Sequence, residues 1–326
     1  MNKDVTTISL FAFSTALMVY QLTFAAVYGS DDRQDVVTVG NQQVKAAAKS
    51  TAIMIANTLI SERPNATIDL DFQPLSTTFG SNVCTDQKFH NQISAGVACT
   101  GFLIGQDLMV TAGHCMINVG EVKQGLTPFC TEFSWLFDFQ NNTQGQASIK
   151  GLSKDRLYRC QKVLYAKNTT TYNSATQKFD FDDDFAIIQL DRPVPNRSPL
   201  KLAGPLAAIG QGVSSIGYPN GIPMKYMNNG KVLDQPNSKY FRTTLDMFEG
   251  NSGGPIFNAA FDVIGIEVRG FPADFIWSPQ RQCNVVNKCN GMAQSCQLAD
   301  EKESAGEHAF PANLIRERAA EVGLSL

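Results

Sequence analysis

The sequence predicts an all-β protein that ends in one helix, and three features lead to this prediction. Short apolar runs bounded by polar turns recur between residues 51 and 266, as in proteins built from short strands. A proline-rich segment at residues 192–199 suits neither a helix nor a central strand, and it separates these runs into two groups. Residues 311–326 have the spacing of an amphipathic helix, with a packing stripe formed by Leu314, Ile315, Ala319, Val322 and Leu324.

Individual strands are predicted from the apolar runs. Residues 51–56 are the first strand, although the pattern from residue 44 to residue 59 also fits a helix. Residues 57–92 then form a long insertion, and short strands with long loops are expected between residues 114 and 184. The other predicted strands lie at residues 101–104, 185–190, 215–219, 240–244, 256–257 and 263–266.

The composition is that of an ordinary globular protein. Of the 326 residues, 43% are hydrophobic and 17% are charged. The formal net charge of −3 provides no basic surface, so nucleic acid is not an expected partner. We expect one functional domain with two halves, and a monomer.

The amino-terminal residues 1–26 are predicted to be a signal peptide. Lys3 precedes an apolar run at residues 8–22, and the small residues Ala25 and Ala26 follow as possible cleavage sites. The alternative is an uncleaved anchor, because residues 8–28 are just long enough to span a bilayer. Cleavage would give a secreted or periplasmic protein with no stable membrane association.

All eight cysteines follow this segment, and an even number in an exported chain predicts disulfides. The spacing between the last three is unlike the close cysteine pairs of zinc sites, so no metal is expected. The cysteines are Cys84, Cys99, Cys115, Cys130, Cys160, Cys283, Cys289 and Cys296.

Ser252 is the candidate nucleophile, because glycines on both sides permit a sharp turn that exposes its hydroxyl group. A serine needs a base to remove its proton and a third group to orient that base. Among His90, His114 and His308, only His114 directly follows a strand-like stretch, in the segment TAGHC. Asp184 begins a strongly apolar run and is the candidate orienting carboxylate.

Three motifs, TAGHC, DFAIIQL and GNSGGP, occur in this order and resemble those of the chymotrypsin/trypsin superfamily of serine peptidases. Residues 27–36 resemble the mature amino terminus of bacterial glutamyl endopeptidases. The resemblance implies two six-stranded antiparallel β-barrels of chymotrypsin type with a carboxy-terminal helix. The peptidase domain would span residues 27–326, with a first barrel at about 27–191 and a second at about 205–326.

The resemblance also implies a catalytic mechanism. Ser252 would attack a peptide carbonyl, His114 would accept its proton, and Asp184 would orient His114. The backbone N–H groups of Gly250 and Ser252 would form the oxyanion hole, and no cofactor is required. By the same resemblance, Cys99 and Cys115 form a disulfide beside the histidine.

Three residues are candidates for the S1 pocket, which binds the substrate side chain before the cleaved bond. Asp246 occupies the position at which trypsin-like enzymes bind lysine or arginine, although a structural role is equally compatible with related bacterial sequences. Glu267 replaces the histidine with which glutamyl endopeptidases recognise acidic side chains, and Met247 replaces a hydroxyl residue. We therefore predict a basic or otherwise non-acidic preference.

Asn251 departs from the trypsin pattern. An aspartate normally stands there and pairs with the amine freed by activation, and asparagine cannot form this ion pair. The alternative functional class is an inactive peptidase fold that serves as a binding or adhesion module, and esterase activity is a chemical alternative. The predicted partners are protein or peptide substrates.

Overall fold

The computed structural model describes residues 27–78, 82–169, 171–173, 178–180, 183–270, 274–289 and 306–326. The predicted signal peptide, residues 1–26, lies outside them. No helix among these residues combines the length and apolar character needed to cross a membrane.

Sixteen strands and two α-helices are described up to Leu190. The strands are β1 (Val27–Tyr28), β2 (Gln34–Asp35), β3 (Thr51–Ala56), β4 (Ile60–Arg63), β5 (Thr67–Leu70), β6 (Gln73–Pro74), β7 (Ile93–Ser94), β8 (Cys99–Leu103), β9 (Leu108–Thr111), β10 (Gly120–Gly125), β11 (Phe133–Phe137), β12 (Leu152–Ser153), β13 (Leu157–Asn168), β14 (Thr171–Asn173), β15 (Lys178–Asp180) and β16 (Asp184–Leu190). The helices are α1 (Gln42–Lys49) and α2 (Pro128–Glu132).

Six of these strands close into the first barrel. Their order is β13, β11, β3, β8, β9 and β16, and pairing of β16 with β13 closes the ring. Every pairing in the ring is antiparallel, and β10 adds a seventh strand beside β13. The barrel interior is strongly apolar, since β3, β8 and β16 are buried over almost their whole length.

The second barrel contains the strands that follow the proline-rich segment. They are β17 (Gly212–Gly217), β18 (Lys225–Asn237), β19 (Tyr240–Thr243), β20 (Pro255–Phe257), β21 (Val263–Arg269) and β25 (Glu307–Pro311). The ring order is β17, β20, β21, β25, β19 and β18, and antiparallel pairing of β18 with β17 closes it. Outside the ring lie β22 (Phe275–Ser278), β23 (Cys283–Val286) and β24 (Lys288–Cys289).

The predicted fold is confirmed, because both sheets are closed six-stranded antiparallel barrels. The predicted carboxy-terminal helix is also present as α3 (Ala312–Glu321), with Ala312, Ile315 and Ala319 buried. The pattern at residues 44–59 resolves into a helix and a strand. Helix α1 is capped by the Asn41 side chain, which accepts from the Gln43 amide, and strand β3 begins directly after it at Thr51.

The amino-terminal segment, residues 27–35, packs against the second barrel although the first barrel was predicted to begin at about residue 27. Strand β1 pairs with β24 in parallel, and β2 pairs with β18. The ring strands themselves span residues 51–190 and 212–311. The domain limits given above remain predictions. Within this segment β2 extends the second barrel's sheet, whereas β1 and β24 form a separate two-stranded sheet.

Disulfides connect distant parts of the chain. Cys84 bonds to Cys283 and Cys130 to Cys160, and these two pairings were left open by the sequence. The first of them fixes the insertion at residues 57–92 to the second half of the chain. Strands β4 and β5 of this insertion pair with β12 from a later part of the chain in a separate three-stranded sheet.

Candidate active site

His114 lies in a short 3₁₀ turn, Gly113–Cys115, that follows strand β9. The disulfide between Cys99 and Cys115 fixes this turn to strand β8. Gly113 is required by close packing, because a β-carbon there would overlap the carbonyl of Lys167. The turn is therefore held from both sides.

Asp184, the first residue of β16, contacts His114 through both carboxylate oxygens. Oδ1 accepts a hydrogen bond from the His114 backbone N–H at 2.9 Å, and Oδ2 lies 2.9 Å from Nδ1 of the imidazole. A carboxylate at this position favours the tautomer that has the proton on Nδ1, so that Nε2 is the basic nitrogen. This is the geometry that a general base requires.

Arg269 is a further partner of Asp184. Its Nη2 donates to Oδ2 at 2.9 Å, which is the same oxygen that His114 Nδ1 contacts. Burial by itself raises the pKa of Asp184, but the opposing effects of His114 and Arg269 are larger and leave the pKa below its ordinary value. Asp184 is therefore ionised at neutral pH, although it is only 3% exposed.

Ser252 lies in a turn whose glycines have backbone angles that other residues rarely adopt. Gly250 has φ +96° and Gly253 has φ +84°. A β-carbon on Gly253 would overlap the Thr100 carbonyl and the Thr111 hydroxyl, so this turn fits directly against the first barrel. The Ser252 carbonyl also accepts from the Thr100 amide at 2.8 Å.

The nucleophile turn and the histidine turn are in contact. The Cys115 sulfur lies 3.7 Å from the Ser252 carbonyl oxygen, and Ser252 keeps 8% of its surface exposed. His114 Nε2 is buried and has no hydrogen-bond partner among the described residues. The structure thus brings the two turns together without a hydrogen bond from Ser252 Oγ to Nε2. Catalytic hydrogen bonds are often long in ligand-free enzymes and shorten when substrate binds.

The backbone N–H groups of this turn fall into two sets, those with an acceptor and those without one among the described residues. The amides of Asn251, Gly253 and Gly254 donate to the carbonyls of Phe248, Glu267 and Asn251. Within the described part of the chain, the amides of Gly250 and Ser252 donate to no acceptor. Two such N–H groups beside a serine could stabilise a negatively charged oxygen.

Asn251 points into the protein beneath this turn. It is 1% exposed, and neither oxygen nor nitrogen of its side-chain amide has a hydrogen-bond partner among the described residues. Gly217 packs against it, since a β-carbon there would overlap the Asn251 oxygen. An uncharged side chain fits this enclosed position.

The structure gives Asp246 contacts that favour the structural alternative over the S1 role. Its Oδ1 accepts from the Tyr28 amide at 2.8 Å and its Oδ2 accepts from the Asp32 amide at 2.9 Å. Burial raises the pKa of Asp246, while these two hydrogen bonds lower it. Asp246 therefore fixes the amino-terminal segment to the second barrel, and its oxygens are engaged within the protein.

The other two S1 candidates are also enclosed. Met247 is 2% exposed and packs in the apolar interior of the second barrel. Glu267 is 2% exposed, and burial raises its pKa well above the ordinary value. Burial favours the uncharged form of this carboxyl group, and so opposes the charge repulsion expected from Glu267. Its backbone, rather than its side chain, contacts the nucleophile turn, with the Gly253 amide donating to the Glu267 carbonyl at 2.6 Å.

Sequence reasoning missed two charged residues beside the site. Arg269 gave no signal because its partner Asp184 is 85 positions away. Asp274 accepts hydrogen bonds from the Glu249 amide at 3.1 Å and from the Asn220 side chain, and so supports the residue before Gly250. Burial and the nearby Glu249 raise the pKa of Asp274 to about 7.

One group of potential metal ligands is present among the described residues, and it consists of Cys99, His114 and Cys115. The two sulfurs form a disulfide and are not thiolates. This group is therefore the histidine turn with its disulfide, and it does not have the chemistry of a metal centre.

Comparison with known proteins gives matches in sequence and in fold. A family model described as a trypsin-like peptidase domain matches residues 99–266. The serine proteases HTRA1A and HTRA1B of Danio rerio are each 35% identical to this chain over 112 residues. The match covers 31% of this chain and only 23% of each relative.

Solved structures whose backbones align with this chain include two proteases. A Glu endopeptidase in complex with MPD has a TM-score of 0.46 and 17% identity, with 91% of this chain and 99% of that chain covered. The active form of the Rv3671c protease from M. tuberculosis has a TM-score of 0.45 and 15% identity, with 98% of this chain and 96% of that chain covered.

Proposed function

Because this chain belongs to the trypsin-like peptidase family, we propose that it is a serine endopeptidase in which Ser252, His114 and Asp184 hydrolyse peptide bonds. The observation that supports this most directly is the pair of contacts between Asp184 and His114, which leaves Nε2 as the basic nitrogen beside the Ser252 turn.

The reaction begins with attack of Ser252 Oγ on the carbonyl carbon of the substrate. His114 Nε2 accepts the hydroxyl proton, and Asp184 stabilises the resulting imidazolium. The carbonyl oxygen becomes negatively charged and is held by the N–H groups of Gly250 and Ser252. One such hydrogen bond contributes roughly 2.7–4 kcal/mol to the stability of the transition state.

Hydrolysis is completed in two further steps. The imidazolium donates its proton to the leaving amine as the C–N bond breaks, and an acyl-enzyme remains on Ser252. Water then loses a proton to Nε2 and attacks the ester carbon. Return of the proton to Ser252 Oγ releases the acid product and regenerates the enzyme.

The proposed location is outside the cytoplasm, either secreted or periplasmic. The support is the predicted signal peptide at residues 1–26 together with disulfides at Cys84, Cys99 and Cys130 with their partners. Disulfides form and persist in oxidising compartments.

The basic substrate preference stays a prediction that needs other support. Asp246 is engaged by two amides, and Glu267 is enclosed with a raised pKa, so neither provides a free negative charge for a lysine or arginine side chain. A peptide-library cleavage profile measures the preference directly.

The test is covalent labelling with a serine-directed phosphonate together with peptide hydrolysis. Ser252→Ala should abolish labelling, and Ser252→Ala or His114→Ala should lower kcat by about 10⁶-fold, as found for triad residues that act as one unit. Ser215→Ala is the matched control, because Ser215 is a buried serine on β17 whose hydroxyl has no hydrogen-bond partner among the described residues.

The outcomes distinguish the functional classes. Absence of labelling in folded, disulfide-bonded wild-type protein would favour the inactive binding module. Hydrolysis of activated esters without hydrolysis of peptides would favour an esterase. Near-normal turnover in either triad variant would remove that residue from its proposed role.

A further inference from the structure

We propose that Arg269 is a positioning residue of the triad, which holds the Asp184 carboxylate in the orientation that His114 requires. The inference rests on the proposed function, and it assigns to Arg269 a role that neither the motifs nor the comparisons indicate.

The first argument is geometric. Three donors occupy the two oxygens of Asp184, namely the His114 amide on Oδ1 and both His114 Nδ1 and Arg269 Nη2 on Oδ2, all at 2.9 Å. His114 contacts both oxygens itself, but its imidazole and the carboxylate can still turn together about their side-chain bonds. The bond from Arg269 comes from outside this pair and opposes that motion, so the direction of the imidazole is fixed through Asp184.

The second argument concerns the origin of the three residues. Asp184 and His114 belong to the first barrel, whereas Arg269 is the last residue of β21 in the second barrel. Strand β21 also contacts the nucleophile turn, because the Glu267 amide donates to the Gly254 carbonyl at 2.9 Å. The same strand therefore supports the serine turn and the carboxylate on the opposite barrel.

The third argument is electrostatic. Arg269 is largely buried, and a buried cation is stable only beside a compensating anion. Asp184 is that anion, and the direct contact keeps it ionised while reducing the negative charge that His114 experiences. Arg269 thus has two opposing effects: its charge makes the His114 imidazolium less stable, and its hydrogen bond fixes the orientation of Asp184.

Other titratable groups near this contact do not replace either partner. His308, opposite Arg269 on β25, has its pKa lowered to about 3 by burial and by the charges of Arg269 and Arg242, so it is neutral. Asp183 pairs with Lys167 at 2.8 Å and lies 3.5 Å from Arg318. Glu267 lies on the same strand as Arg269, and burial raises its pKa well above the ordinary value.

The test compares Arg269→Gln and Arg269→Lys with wild type by measuring kcat/KM on a peptide between pH 5 and pH 9. Arg269→Gln should lower the plateau by about 10- to 100-fold, the effect of one lost charge-assisted hydrogen bond. It should also move the acid limb of the profile toward higher pH, because removal of a nearby positive charge favours the imidazolium. Arg269→Lys keeps the charge and should leave the limb in place with a smaller loss of rate.

Arg242→Gln is the matched control, since Arg242 is an arginine of the same barrel that pairs with Asp234 instead. It should lower stability without moving the acid limb. In an Asp184→Asn background, Arg269→Gln should cause little further loss of activity, because the anion that it positions has been removed. An additive loss in that background, or an unchanged profile in Arg269→Gln, would overturn the inference.

A proton NMR measurement separates this inference from the proposed function. The hydrogen-bonded Nδ1 proton of His114 should resonate far downfield in wild type and move or broaden in Arg269→Gln, but not in Arg242→Gln. If the wild-type protein hydrolyses no peptide and this signature is nevertheless seen, the proposed function fails and the positioning role stands. If the resonance is identical in Arg269→Gln and wild type, the positioning role is wrong.

Discussion

Replacing Asp246 should loosen the amino-terminal segment and leave the substrate preference unchanged. The Asp246 carboxylate accepts the backbone N–H of Tyr28 at 2.8 Å and of Asp32 at 2.9 Å, and the residue is 2% exposed. Both amides belong to the segment at residues 27–35, so this side chain adds two contacts to the pairings of β1 and β2 that also hold the segment.

The expected size follows from the two hydrogen bonds. In Asp246→Asn one oxygen becomes an NH₂ group, which leaves one buried amide facing a donor and costs about 1–3 kcal/mol. In Asp246→Ala both amides lose their acceptor, which costs about 2–6 kcal/mol. Burial and the Asp246 charge raise the pKa of Asp32 to about 7. At higher pH Asp32 is charged, and either substitution then removes the repulsion between Asp32 and Asp246, which offsets part of the cost. Measurement at pH 6, where Asp32 is mostly protonated, keeps that offset small.

Three measurements test this prediction. Urea unfolding gives the loss of stability, hydrogen exchange reports whether the Tyr28 and Asp32 amides lose protection, and a peptide library gives the substrate preference. Asp262→Asn is the control, because Asp262 pairs with the exposed Lys201 at 3.0 Å and its loss should cost less than about 1 kcal/mol. Unchanged stability with an altered preference in Asp246→Asn would refute the structural role and restore Asp246 to the S1 pocket.

Two further predictions concern stability near the site. Burial, followed by the charge of Glu249, raises the pKa of Asp274 to about 7 from 3.8, so this group stabilises the fold at low pH and loses that contribution as pH rises to 7. Between pH 5 and pH 8 this group should lower the unfolding free energy of the wild type by about 3 kcal/mol. Urea unfolding of Asp274→Asn should show a pH-dependent loss that is smaller by this amount, and an unaltered pH dependence would contradict the prediction. Replacing Cys99 and Cys115 together by serine should lower the unfolding free energy by about 3 kcal/mol. It should also reduce turnover, because Cys115 adjoins His114. Wild-type turnover in the folded double variant would show that the disulfide does not position the histidine.

Features that depend on neighbouring residues could be predicted from the sequence. The apolar run at Thr51–Ala56 predicted a strand, and the glycines around Ser252 predicted a sharp turn. The same local pattern did not separate helix α1 from strand β3, because both carry buried apolar residues and β3 begins two positions after α1 ends. The capping of α1 by Asn41 is the signal that distinguishes them.

Features that depend on distant residues could not be predicted in the same way. Asp246 contacts Tyr28 across 218 positions, and Cys84 bonds to Cys283 across 199. No periodicity or spacing reports such contacts. The ionisation of Glu267 is likewise not set by its neighbours in the sequence, since it depends on how completely the folded protein removes this carboxyl group from water, and burial raises its pKa.

The absent hydrogen bond between Ser252 and His114 can be understood from what surrounds the two residues. Gly253 fits against Thr100 without space for a β-carbon, and the Ser252 carbonyl accepts from the Thr100 amide, so the backbone of the nucleophile turn is fixed on the first barrel. Asp184 fixes the imidazole on the other side. The remaining freedom is the single side-chain torsion of Ser252, for which staggered positions are separated by small barriers. If Ser252 and His114 act as proposed, we therefore expect their hydrogen bond to form by a change in this torsion and not by movement of the backbone of either turn.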